Sequence, residues 1–202
     1  MTGTADDSRL AARAASGDRN AFAHLVRKYG PALAQFARVS GTPETDVDDI
    51  VQETFISAWR ALDAYDEARP FRAWMFRIAI NKIHDLRRSR RVRRFLFAAS
   101  EIDTNEAATL IDPAPGPERE SLARRVFDQT KQILDRIEPG ARDAIVLTAI
   151  SGLSQAEAAE ALGTSVKAIE GRVARGRRQL AILLEDSNEN SLAAKGGPPQ
   201  PT

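Results

Sequence analysis

Apolar positions recur every three or four residues along most of the chain, with no sustained alternation, so the sequence predicts helices and no sheet. Helices are expected over residues 8–16 and 18–38, the second with an irregularity at Gly30-Pro31, where the ring removes a backbone donor. The stretch GTPETD at 41–46 marks the next start: Thr42 can cap, and Pro43 suits the first helical position. From there to about Leu62, the residues Val47, Ile50, Val51, Thr54, Phe55, Ala58 and Leu62 form one stripe that faces a core. Residues 63–70, DAYDEARP, read as a loop, and Phe71 to about Arg94 as another long helix.

The pattern lapses at 98–120, AASEIDTNEAATLIDPAPGPERE, which is acidic and carries Pro113, Pro115 and Pro117. A semi-extended tether is the simplest reading. Helical periodicity returns at about 119–137 and 140–151, then in the pair LSQAEAAEALGTSVKAIEGRVARGRRQL at 153–180. Ser154 precedes Glu157 by three, the spacing of a capping box. Gly163 can take the left-handed conformation that ends the first helix of the pair, and Thr164 or Ser165 can cap the second. The expected architecture is all-α. Two small helical domains, residues 1–97 and 119–185, are joined by a flexible linker at 98–118 and followed by a disordered tail at 186–202.

Composition narrows the chemistry. Of 202 residues, 43% are apolar and 28% charged, as in an ordinary soluble globular protein. There is no cysteine, which removes disulfides, thiolate metal sites and a cysteine nucleophile. The histidines are His24 and His84, with no acid–base partner set, phosphate-binding glycine loop or paired-carboxylate signature. No enzymatic activity, metal or cofactor is expected. No apolar run reaches membrane-spanning length, and the N-terminus lacks the apolar stretch of a signal peptide, so a cytoplasmic protein is expected.

The net charge of +1 conceals segregation. Residues 42–67 hold eight acids and one arginine, net −7, while 69–94 hold ten bases and one aspartate, net +9. Adjacent blocks of opposite sign suit one surface for a basic partner and another for a polyanion, or else two solvated faces that pair with each other.

Two helical faces carry candidate chemistry. In the second helix of the C-terminal pair, Val166, Ile169, Val173, Leu180 and Leu184 fall on one stripe, and Lys167, Gly171, Ala174, Arg175 and Arg178 on the opposite side. A basic face with small residues at its centre can approach a major groove, which is the helix-turn-helix pattern; a helical hairpin with a solvated basic face is the alternative. In the 71–94 helix, Phe71, Met75, Ile78, Ala79, Ile83 and Leu86 face the core. Trp74, Arg77, Asn81, His84 and Arg88 recur on another side. A ring to stack, an amide to read a base edge and cations for phosphates suit unstacked bases. Trp74 as a core residue with Asn81 merely solvated is the competing reading.

The segments DVDDIVQETFISAWRAL at 46–62 and FRAWMFRIAINKIHDLRRSRR at 71–91 resemble region 2 of the extracytoplasmic-function sigma factors, and residues 153–180 resemble their region 4. The resemblance implies a sigma factor that binds core RNA polymerase and confers promoter choice. The 46–62 helix would dock on the clamp helices of the β′ subunit through Asp49, Gln52, Glu53, Ile56 and Arg60. Loop 63–70 and the helix behind it would capture the melted −10 strand, with Trp74 and Asn81 at the matching positions. The last helix, near the β flap, would read the duplex −35 element through Glu170, Gly171, Arg172, Ala174 and Arg175. Many members carry a base where Glu170 stands; an acid there accepts from a cytosine amino group or marks a shifted docking angle. An anti-sigma factor is the implied regulator, with no small-molecule substrate and no membrane insertion. The competing readings are a regulator that binds duplex operators alone, and a helical adaptor that binds no DNA.

Overall fold

The computed structural model describes residues 3–99 and 118–195, and every regular element among them is helical. The N-terminal half consists of α1 (Gly3–Ala15), α2 (Arg19–Val39), α3 (Glu44–Arg60) and α4 (Phe71–Ala99), with a single 3-10 turn at Leu62–Ala64. Asp18 starts α2 by accepting from the Asn20 and Ala21 amides, both at 3.0 Å. The Ala21 amide, then the Arg13 guanidinium, hold its carboxyl below the ordinary carboxylate range. Leu25, Leu33, Phe36, Val47, Phe71, Met75 and Ile83 are sealed in the core between these helices. Helix α1 is pinned by a buried carboxylate: Asp7 accepts from Tyr29 Oη at 2.6 Å and from Lys28 Nζ at 2.5 Å. Burial, then that bond to Asp7, push the Tyr29 phenol above its ordinary pKa.

Several local expectations are corrected. Helix α2 runs unbroken through Pro31, because Pro31 and Arg27 lie on its exposed side and the carbonyl left without a donor can meet water. Thr42 does not cap α3. Pro43 stands at the N-cap, and Thr42 is buried with its hydroxyl unpartnered. Helix α3 stops at Arg60, two residues short of Leu62, which instead opens the 3-10 turn. Helix α4 continues to Ala99, beyond the expected end near Arg94. Ala73, Phe76 and Ile80 are buried beyond the predicted stripe, of which Ile78 and Leu86 are half-buried; the Phe76 ring packs on Phe36 of α2, and α4 also packs on α7.

The C-terminal half comprises α5 (Glu118–Asp135), α6 (Pro139–Ile145) running into a π turn at Val146–Ile150, α7 (Gln155–Leu162) and α8 (Val166–Lys195). The capping box forms: Glu157 N donates to Ser154 Oγ at 3.2 Å, and Ser154 N to Glu157 Oε2 at 2.8 Å. Gly163 ends α7 at φ 60°, and Ser165 caps α8 by accepting from the Ala168 amide at 3.2 Å. Of the α8 stripe, Ile169 and Val173 are buried and Leu180 half-buried, whereas Val166 and Leu184 are exposed. Gly176 extends the buried side, pressed against Ile145 and Ala141 of α6. Helix α8 continues past Asp186 to Lys195, so the first part of the expected tail is helical; residues 196–202 lie outside the described residues. Of the expected linker, 100–117 also lie outside them.

Polar contacts join the two halves. Arg69 Nη1 donates to Glu160 at 2.7 Å, and Arg72 donates to the carbonyls of Ser151 and Gly152. His84 Nε2 and Asp143 Oδ2 stand 2.8 Å apart. Arg87 donates to the Ser40 carbonyl beside Asp143, and Lys131 reaches the Thr42 carbonyl at 3.4 Å. At the turn between α2 and α3, Gly41 has φ +85°, and a Cβ there would lie 2.8 Å from Asp135 Oδ1. Glycine is required there twice over, by backbone conformation and by the approach of the other half.

Candidate nucleic-acid and polymerase interfaces

The cap at Ser165 and the core contacts of Ile169 and Val173 fix which side of α8 faces out. Lys167, Glu170, Ala174, Arg175 and Arg178 are exposed, and Gly171 and Arg172 half-exposed. The Arg175 guanidinium passes over Gly171, 3.8 Å from where a Cβ would stand, so the missing side chain leaves a shallow centre flanked by cations. Helix α7 precedes it through the Gly163 turn, and α6 backs it. This geometry can present Arg and Lys to a groove with little steric obstruction.

On α4, Arg77, Asn81 and Arg88 are exposed. Trp74 is half-buried, neither fully core nor free, with its ring 5.1 Å from that of Tyr65 and 5.5 Å from that of Phe71. Arg88 pairs with Asp85 at 2.6 Å on the surface. His84 is exposed as well, with its ring beside the buried Asp143 carboxylate of the other half. Sequence alone could not place Asp143, 59 residues away, beside it. Arg69 and Arg72 also donate to the other half, to Glu160 and to backbone carbonyls, while Arg87 donates to Ser40 of its own half and stands 3.9 Å from Asp143. The Glu160 carboxylate holds the Arg69 guanidinium above its ordinary pKa, while burial and the nearby Arg142 pull that of Arg87 down.

On α3, Asp49, Gln52, Glu53 and Arg60 are exposed and Ile56 half-buried. The opposite charge blocks do pair in part, through Arg90–Asp46 at 2.6 Å and Lys82–Glu53 at 3.3 Å. Beside this face, α2 and α3 leave an apolar groove of about 400 Å³, lined by Phe22, Val26, Val51, Gln52, Phe55 and Ile56. Trp59 stands 39% exposed, with its ring 4.8 Å from that of Phe22. The residue reading missed this groove, although the apolar Phe22, Val26 and Trp59 outside the main stripe were its signal.

Residues 25–93 match the family model Sigma-70 region 2, and residues 127–180 match Sigma-70, region 4. The chain is 53% identical over 184 residues to the RNA polymerase sigma factor CnrH of Cupriavidus metallidurans, covering 91% of this chain and 96% of that one. It is 30% identical to the ECF RNA polymerase sigma-E factor of Escherichia coli over 86% of this chain and 92% of that one. The chain belongs to the extracytoplasmic-function group of the sigma-70 family. As a sigma factor it binds core RNA polymerase and directs promoter-specific initiation.

Solved sigma factor structures share the fold. That of CnrH in complex with the cytosolic domain of CnrY superposes with a TM-score of 0.70 at 45% identity, covering 90% of this chain and 98% of that one. That of the sigma factor RpoE in complex with the anti-sigma factor NepR from Bartonella quintana gives 0.61 at 25% identity, covering 81% and 96%. Region 2 thus corresponds to α2–α4 and region 4 to the part from α5 into α8, while α1 precedes both matched segments. Among the described residues of this sigma factor, no helix is long and apolar enough to cross a membrane.

Proposed function

We propose that the two sigma regions divide promoter recognition. The exposed face of α8, through Lys167, Glu170, Gly171, Arg172, Ala174, Arg175 and Arg178, reads the duplex −35 element. The α4 sector carrying Trp74, Arg77, Asn81 and Arg88 holds the melted −10 strand. Asp49, Gln52, Glu53, Ile56 and Arg60 of α3 form the polymerase-binding face. The domain limits are 1–97 for the −10 and polymerase-binding half and 119–185 for the −35 half, and the protein works in the cytoplasm without a cofactor. His84 joins the −10 set once Asp143 releases it.

The observation that carries this reading is the outward placement of Arg175 and Arg178 around the open centre at Gly171, on a helix backed by a capped helix-turn-helix. We further propose an anti-sigma factor as regulator, because the groove beside α3 offers apolar surface next to the polymerase-binding face. The solved relative RpoE was captured with the anti-sigma factor NepR, and CnrH with the cytosolic domain of CnrY. The test is co-purification with core polymerase followed by transcription from a candidate promoter, with permanganate probing of unpaired thymines. Transcription and thymine reactivity that depend on the chain are expected. Binding to duplex DNA without any association with core enzyme would defeat the reading.

A further inference from the structure

One side chain closes the loop that precedes α4. The Tyr65 phenol donates to the Arg69 carbonyl at 2.6 Å and lies 3.1 Å from Ser8 Oγ. A phenol has one proton, so the Ser8 hydroxyl must be the donor in the second bond. The Tyr65 ring packs against Phe71 and Trp74, with centroids 5.3 and 5.1 Å away. Within the loop, Asp66 Oδ1 accepts from the Ala68 amide at 3.0 Å. The backbone is therefore tied just before Pro70, beside the half-buried indole of Trp74. Ser8 sits on α1, outside both matched family segments, and α1 is fixed by its neighbouring buried carboxylate, Asp7.

We propose that Tyr65 and Ser8 are positioning residues for −10 strand capture: the phenol sets loop 66–70 and the Trp74 indole in the register that receives an unpaired base, and α1 fixes that register through Ser8. This rests on the assignment of Trp74 and Asn81 to the melted strand. The loop residues Asp66, Glu67, Ala68 and Arg69 are exposed, so a carbonyl freed at Arg69 can bind water. Loss of the phenol hydroxyl therefore loosens the register while costing the fold little. Neither residue lies on the polymerase-binding face of α3.

The test uses holoenzyme assembled from core polymerase and full-length chain, bound to a pool of single-stranded non-template oligonucleotides randomised across the −10 positions. Tyr65→Phe and Ser8→Ala are expected to flatten base preference by about fivefold, the scale of one hydrogen bond, with affinity for core unchanged and melting temperature lowered by no more than a few degrees. Ser8→Thr, which keeps the hydroxyl, is expected to retain the preference. Trp74→Ala and Asn81→Ala serve as references. If these two alter the preference while Tyr65→Phe and Ser8→Ala do not, the positioning role is overturned and strand capture stands. If Tyr65→Phe and Ser8→Ala lower stability and core affinity without changing preference, the phenol is only a strut and the proposal fails. Should Trp74→Ala and Asn81→Ala leave the preference untouched, strand capture is itself misassigned and the positioning role falls with it.

Discussion

At Gly176 the absence of a side chain sets how closely α8 lies on α6. A Cβ there would come 2.4 Å from Ile145 Cδ1 and 3.3 Å from the Ala141 Cβ, where both neighbours are buried. Helix propensity favours alanine over glycine, so glycine here is kept for packing. Gly176→Val should cost about 1–3 kcal/mol through overpacking, measured by urea or thermal unfolding, and should weaken −35 binding by tilting the reading helix. The exposed arginines should separate base reading from phosphate holding. Arg175→Ala should lose on the order of 1–3 kcal/mol of promoter affinity and relax preference at one base pair. Arg178→Ala should weaken all sequences alike and make binding less steep in salt, which titrations on matched and scrambled −35 duplexes would show. The cationic face was legible because it depends on spacing along one helix. Gly176 was not, since its partner Ile145 lies on another helix, and the spacing that placed Val173 inside left glycine without a sign.

Helix α3 shows which parts of an element local sequence determines. Its core stripe was legible from period alone, and Val47, Ile50, Thr54, Phe55 and Ala58 are all buried. Its start differs from expectation because Thr42, a good cap by type, is used to close α2: its amide donates to the Ala37 carbonyl at 3.1 Å and its hydroxyl is buried without a partner. The outer face is left to polar residues, so it can be altered with little cost to the fold. The Glu53–Lys82 pair is exposed enough that losing it should cost about 0.5 kcal/mol or less. Gln52→Ala with Glu53→Ala, or Asp49→Lys alone, should therefore weaken capture of core polymerase in pull-down while circular dichroism and melting stay as in the parent. Unchanged capture in both variants would move the polymerase-binding face off α3.

Across the whole molecule, the +9 segment reads as a polyanion site, yet four of its side chains, those of Arg69, Arg72, His84 and Arg87, are occupied by region 4 of the same chain. That occupancy was illegible in the sequence, because it joins residues 56 to 91 positions apart. A guanidinium bonded to Glu160 has fewer donors left for a phosphate, so a nucleic-acid strand bound along this segment would compete with region 4 for these cations. Helix α4 also packs on α7 and the buried apolar cluster runs through both halves, but the ion pairs between them are part-exposed, and one such as Arg69–Glu160, with side chains 55% and 33% exposed, adds little. Asp143→Asn with Glu160→Arg should shift the chain toward a separated arrangement, seen as a larger radius of gyration in small-angle scattering with helicity retained. The same pair should assemble faster with core polymerase if separation precedes docking. Reversing Arg69→Glu against Glu160→Arg restores the ion pair in mirror image and should return the compact dimension. If the charge-reversed double variant scatters like Glu160→Arg alone, the Arg69–Glu160 contact does not hold the halves together.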